Sequence, residues 1–293
     1  MVIITERDEK LLSVIARFRR IDYDTARLIL GSRWGSHKRI KKLLDSRYLA
    51  KDGKSCLKLG QSGKTWAYEH LGITVEDVDD EERWEKVIEI GLRPKLLYDF
   101  IPSWVLKENI ENLSPMNQAI GVYHNFALFN IKANTPEKVL KDCMNDIDEL
   151  ARYGYENAIL VFERKEENEK LETIAFMKSF PNTNKIICLP KNEIGLRLLD
   201  IFVTNDTWKD KLAEKLFGQY NWIEPDVLQT SDGRKVWIAI ENDLLQKIYM
   251  TTKVKAGFTE KNIEVVCFEE QEEIYEWLGL KITKICLEEF FKI

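Results

Sequence analysis

Histidine is scarce in this chain of 293 residues: there are three, His37, His70 and His124, far apart in sequence. Cysteine is little better supplied, and Cys56, Cys143, Cys188, Cys267 and Cys286 are odd in number and form no C-x-x-C pair. Together these shortages exclude a His-rich metal centre and argue against a disulfide framework, so reduced and mostly buried thiols are expected. With 14 Gly and 7 Pro the chain is neither fibrous nor of low complexity. Purely apolar runs such as Ala158 to Phe162 fall far short of the ~20 residues needed to span a bilayer. The opening MVIITERDEK turns charged too early for a secretory signal. A cytoplasmic protein without a membrane partner is expected, long enough for two domains.

Charge is present in quantity, but unevenly. The net −5 hides a basic start: residues 1–72 hold 16 Lys/Arg against 8 Asp/Glu, and the remainder holds 28 against 41. A module of net +8 joined to a body of net −13 points to a polyanionic partner for the module.

The pattern within the module sharpens that expectation. Thr5 caps a helix over Glu6 to Phe18, with Asp8 as its capping-box partner and Leu11, Leu12, Ile15 and Phe18 as its apolar face. A short helix over Asp22 to Leu30 ends before Gly31, and a third runs from about Ser36 to Ser46 with Ile40, Leu43 and Leu44 inward. At ~100° per residue, Lys38 and Lys42 lie opposite that stripe, with Arg39 and Lys41 on its flanks. A hairpin follows, turning at Asp52-Gly53 and returning over Ser55 to Leu59. Three helices and then a hairpin is the order of a winged helix-turn-helix, in which the third helix enters the major groove and the hairpin touches the backbone. The candidate DNA-contacting residues are Ser36, Lys38, Arg39, Lys41, Lys42, Lys54 and Lys58. Gly63-Lys64-Thr65 superficially suggests a phosphate loop, but the motif needs glycine where Lys58 stands. The segment reads instead as a helix from Gly63 that buries Trp66, Ala67 and Leu71.

The winged helix is assigned to residues 1–73 and an acidic, partly helical connector to 74–118. In the connector Glu76, Asp77, Asp79, Asp80, Glu81 and Glu82 are read chiefly as a solvated run, and secondarily as a shield for the basic module. Residues 119–293 form an α/β body. Gln118 to Ala133 reads as a helix carrying a packed His124, and Pro136 to Gly154 as a second helix. Asn157 to Arg164, Leu171 to Met177, Lys185 to Leu189 and Leu198 to Thr204 read as strands. A helix over Thr207 to Phe217 precedes strands at Asp226 to Thr230 and Lys235 to Glu241, which turn at Ser231-Asp232-Gly233. A helix, a strand and a helix follow, over Asn242 to Thr252, Ile263 to Phe268 and Gln271 to Leu278.

One constellation here carries chemistry. Asp226 opens a strand and Glu241 ends the next, the spacing of restriction-endonuclease-like nucleases, which hold Mg²⁺ between two carboxylates and place a lysine two residues beyond the second. That place is Asp243. Lys247, four residues further on, and Glu214, on the preceding helix, are the remaining candidates for the amine and a further acid. With the lysine displaced, the expected state is a degenerate nuclease-like scaffold without a cofactor. Mg²⁺ at Asp226 and Glu241 is expected only if cleavage survives with a lysine from elsewhere.

The chain resembles the replication-relaxation family of Gram-positive plasmids and integrative elements. The resemblance rests on Thr5-Glu-Arg-Asp, on Lys38 to Leu49 and the hairpin, and on Leu57-Lys-Leu-Gly-Gln-Ser-Gly-Lys. It extends to Tyr123-His-Asn-Phe-Ala-Leu-Phe-Asn, similar to the family's His-centred helix, and to Pro225-Asp226 with Ile238-Ala-Ile-Glu241-Asn-Asp243. It implies an α+β, two-domain protein: an N-terminal winged helix and a C-terminal restriction-endonuclease-like domain with a mixed central sheet. It further implies a DNA-binding accessory or initiator in plasmid replication, DNA relaxation or mobilisation, acting on double-stranded DNA as a homodimer or with replication and relaxase proteins. A metal-dependent nuclease or nickase and a transcriptional regulator are the alternatives.

Overall fold

Thr5 starts the first helix as its spacing to Asp8 requires: its N–H and hydroxyl donate to Asp8 Oδ2 at 2.7 and 2.6 Å. From there the computed structural model describes residues 2–31, 33–256 and 263–292, and they fall into two compact units. The first comprises residues 1–112 and 120–122, the second residues 113–119 and 123–293. The protein is a mixed α+β chain.

In the first unit, α1 (Glu6–Phe18) is followed by β1 (Arg20–Asp22), α2 (Tyr23–Leu30) and α3 (Arg33–Asp45). Asp22 Oδ1 accepts the N–H of Thr25 at 2.8 Å to open α2, and Gly31, at φ +73°, closes it. The hairpin strands β2 (Leu49–Asp52) and β3 (Cys56–Leu59) join β1 in an antiparallel sheet of order β1-β3-β2. Next comes α4 (Gln61–Leu71), seated so close to the hairpin that a Cβ on Gly63 would lie 2.1 Å from the Tyr48 carbonyl oxygen. It buries Trp66 and Ala67, whereas Leu71, expected inside, stands at the helix end with 38% of its surface exposed. The core gathers Leu11, Ile15, Phe18, Ile29, Ile40, Leu43 and Leu57.

Residues 74–112 of the stretch expected as a connector are part of this unit. They hold α5 (Glu81–Gly91), β4 (Ile101–Pro102) and α6 (Ser103–Asn109), and β4 pairs with β5 (Gly121–Tyr123). The Arg17 guanidinium donates to the carbonyls of Leu97, Tyr98 and Phe100 at 3.2, 2.7 and 3.0 Å. Phe18 and Phe100 stack 5.8 Å apart, and Trp84 Nε1 donates to the Phe18 carbonyl at 3.0 Å. The acidic run is not merely solvated. Glu76 and Asp79 each meet Arg19 at 3.4 Å, Asp77 meets Lys58 and Lys64 at 3.4 and 3.3 Å, and Glu81 pairs with Arg20.

The second unit holds two sheets. In one, β6 (Phe126–Ile131), β7 (Asn157–Phe162) and β8 (Lys185–Pro190) are parallel neighbours, linked through α7 (Glu137–Ala151) and α8 (Lys165–Phe176). Burial on both faces makes these strands read as unbroken apolar runs. Beyond β8 lie α9 (Glu193–Thr204) and α10 (Trp208–Phe217). The other sheet contains β9 (Tyr220–Glu224), β10 (Val227–Thr230) and β11 (Lys235–Ile238), then α11 (Leu244–Lys255) and β12 (Ile263–Phe268). It ends with α12 (Glu272–Glu276), β13 (Lys281–Ile285) and α13 (Leu287–Phe290). Its order is β13-β12-β11-β10-β9, with β10 antiparallel to both neighbours and β11, β12 and β13 parallel.

Three expectations for residues 118–204 are corrected. Gln118 to Ala133 is no helix: it carries β5 and β6, and His124 is an exposed turn residue at φ +51°. Leu171 to Phe176 lies in α8, with Met177 as its C-cap, and Leu171, Ile174 and Ala175 are buried at helical spacing. Leu198 to Thr204 belongs to α9, which is capped by Asn192, whose Oδ1 accepts the Gly195 N–H at 2.8 Å. The free cysteines accord with expectation: Cys143, Cys188 and Cys267 are buried, and Cys56 and Cys286 are half-buried.

Candidate nucleic-acid interface and a buried carboxylate–lysine cluster

On α3 the inward positions are Ser36, Ile40 and Leu43, all buried. Lys38, Lys41 and Lys42 stand on the outer face, exposed, and none has an ion-pair partner among the described residues. Lys54 is exposed in the hairpin turn beside Gly53, whose φ of +65° sets the bend. The exposure of Lys38 and Lys42 follows their helical spacing opposite the apolar stripe. The remaining candidates, Ser36, Arg39 and Lys58, are buried or engaged within the unit. Ser36 is buried, 1% exposed. Arg39 turns back to α1, where its Nε donates to Asp8 Oδ1 at 2.7 Å, its Nη2 pairs with Asp8 Oδ2, and the same Nη2 reaches the Ile3 carbonyl at 2.6 Å. Burial raises the Asp8 pKa, but bonds from Arg39 and Thr5 outweigh it and hold the carboxyl below its ordinary value. Lys58 is shared between Asp52 and Asp77, each at 3.4 Å.

In the second unit Asp226 and Glu241 do come together, both nearly fully buried. Asp226 precedes β10, and its carbonyl accepts the Ile238 N–H at 2.8 Å, which fixes the end of β11 beside it. The chain then runs along β8: Ile187 bridges Asp243, Cys188 N–H donates to the Asn242 carbonyl at 3.4 Å, and Asn242 Nδ2 donates to the Cys188 carbonyl at 3.1 Å. Asn242 turns at φ +51°, a left-handed conformation that Asn tolerates better than most residues. This lacing sets Glu241 opposite Lys185, the first residue of β8.

Lys185 and Lys209 complete the cluster. Lys185 Nζ lies 2.5 Å from Glu241 Oε2 and 3.8 Å from Asp226 Oδ1. Lys209 Nζ lies 2.7 Å from the same Glu241 oxygen and pairs with the same Asp226 oxygen. Lys209 sits in the first turn of α10, held by Trp208, which packs against Phe202 and Phe290 at 5.2 and 5.5 Å. Burial alone would lower the Lys185 pKa, but Glu241 and Asp226 overcome it and raise it above its ordinary value. Two ammonium groups and two carboxylates leave the cluster neutral, the condition under which buried charge is tolerable.

Asp243, Lys247 and Glu214 make no ion pair with this cluster among the described residues, although Asp243 feels its charges. Asp243 caps α11, its Oδ1 accepting from the N–H groups of Leu245 and Ile186 at 3.1 and 3.0 Å. Burial pushes its carboxyl up to about 7, against the bond from Ile186 and the charge of Lys185. Lys247 pairs with Glu172 at 2.8 Å instead of reaching the acids. Glu214 is exposed on α10 and lines an open hollow with Gly218, Tyr220 and Ser231. Among the described residues no group of three or more His, Cys, Asp or Glu is placed to hold a metal ion. No helix of the described residues is long and apolar enough to cross a membrane.

Lys185 and Lys209 escaped the sequence reading because their partners lie 56 and 17 residues away. The one local signal is a lysine opening an otherwise apolar strand. No protein-family model, curated protein or solved structure matches the chain.

Proposed function

We propose that the protein is a double-stranded-DNA-binding accessory or initiator of a mobile element, of the replication-relaxation kind, and that it binds through its first unit. In this reading α1, α2 and α3 with the β2–β3 hairpin form a winged helix, α3 enters the major groove and the hairpin tip meets phosphates. The observation that supports it is a division of labour among the basic residues. Arg17, Arg19, Arg20, Arg39, Lys58 and Lys64 are engaged within the unit, while Lys38, Lys41, Lys42 and Lys54 are exposed and unpaired among the described residues. Long ammonium side chains left unpaired at a helix face and an adjoining turn suit a polyanion.

Cleavage by a nuclease-like second unit is the weaker reading. Asp226 and Glu241 flank adjacent strands of a mixed sheet, as such a fold asks, but the same oxygens are already engaged by Lys185 and Lys209.

Fluorescence anisotropy with duplex DNA at low salt tests the binding reading. The unaltered chain should bind, and Lys38→Glu with Lys42→Glu should abolish binding while leaving the circular dichroism spectrum unchanged, because both side chains face solvent. Retained affinity in that folded variant defeats the assignment.

A further inference from the structure

Two ammonium groups bridging one oxygen of each of two buried carboxylates supply the +2 charge that a divalent ion would bring to the same oxygens. We propose that Lys209, with Lys185 beside it, is the built-in cation of the Asp226–Glu241 pair, and that it keeps a preformed dicarboxylate site closed to divalent metal ions. The inference concerns the second unit and stands independently of DNA binding by the first.

The geometry distinguishes this arrangement from a chance surface ion pair. Asp226 and Glu241 are 3% and 5% exposed, and the two lysine side chains 16% and 19%. Lys209 reaches both acids at once, and its helix is pinned by the buried Trp208. Lys185 is fixed from the other side by the β8 lacing to Asn242 and Asp243. A cation lodged between two carboxylates from different elements marks a position that attracts positive charge. Entry of M²⁺ with both lysines in place would put four positive charges against two negative ones in a poorly solvated space. Removing one amine changes the balance: two acids and one lysine carry a net −1, which a divalent ion relieves.

The test is Mn²⁺ uptake by the full chain, followed as loss of the free-ion electron paramagnetic resonance signal up to about 1 mM, the weak end of carboxylate cation sites. The unaltered protein should leave the signal unchanged. Lys209→Ala should take up one ion per chain, and adding Asp226→Asn should abolish that uptake. Lys209→Arg, which restores a fixed cation, should again take up none. Lys209→Ala should melt lower than the unaltered chain in EDTA and recover on adding Mn²⁺. If Lys209→Ala is unfolded in EDTA, Lys209→Gln keeps most of the volume without the charge and should show the same gain. Uptake by the unaltered chain that Asp226→Asn removes overturns the proposal, as does a folded Lys209→Ala or Lys209→Gln protein that takes up none.

Discussion

Arg39 is bound to the buried carboxylate of Asp8, although its sequence position on α3 offers it to DNA. The pair ties the start of α1 to the middle of α3. Arg39→Ala would leave Asp8, whose side chain is 1% exposed, without its charged partner. The expected loss is about 2–4 kcal/mol, the lower half of that range being favoured because the Arg39 side chain keeps 22% of its exposure. Urea unfolding measures it. A variant that lost DNA affinity at unchanged stability would return Arg39 to the interface.

DNA binding should carry the salt signature of few contacts. With Lys38, Lys41, Lys42 and Lys54 each neutralising one phosphate, log K against log salt should fall with a slope of about −4. Lys54→Ala should reduce its magnitude by about 1 without changing which duplex is preferred, since in the proposed binding mode the hairpin-tip amine meets backbone and not base edges. Asp77→Asn should raise affinity at low salt, because Asp77 now occupies Lys58 and Lys64. An unchanged affinity would show that the acidic segment does not compete with DNA.

Local rules made the first unit legible. Thr5 with Asp8, Asp22 before α2, Gly31 after it and Gly53 in the hairpin are contacts within a few residues, and each was readable as a cap or a turn. The burial of Ser36 and the recruitment of Arg39 by Asp8 were not, because each depends on how α3 packs against the rest of the unit. In the second unit, apolar segments failed for a related reason. Phe126 to Ile131 and Leu198 to Thr204 are both short apolar runs, and only their neighbours decide that one is a strand and the other a helix. The acids Asp226 and Glu241 were legible from spacing alone, whereas their amines come from β8 and α10 and announce themselves only in three dimensions.

Gly91 should resist enlargement. It lies in α5, where Ala would ordinarily gain about 1 kcal/mol over Gly. Here an added Cβ would meet the Phe100 and Phe18 rings at 2.7 Å. Overpacking a stacked pair typically costs about 1–3 kcal/mol, so Gly91→Ala is expected to be net destabilising. Thermal unfolding decides the sign. A raised melting temperature would mean that the two rings can part at no cost.

Asp243 should give stability a pH dependence of defined sign. Burial raises its carboxyl from 3.8 to about 7, so between those values the folded chain holds a proton that the unfolded chain has lost. Its contribution is therefore fully favourable below about 4 and is lost as pH rises through about 7. Asn keeps the oxygen that accepts the Ile186 and Leu245 N–H groups and remains a good helix cap. Asp243→Asn should match the unaltered chain near pH 4 and exceed its stability by about 2–4 kcal/mol at pH 8, with the gain developing between those limits. Paired urea titrations at pH 4, 6 and 8 measure the difference directly. A gain that is constant across pH would assign the effect to packing, and a loss at pH 8 would mean that the charged carboxylate is what Lys185 and the α11 N-terminus require.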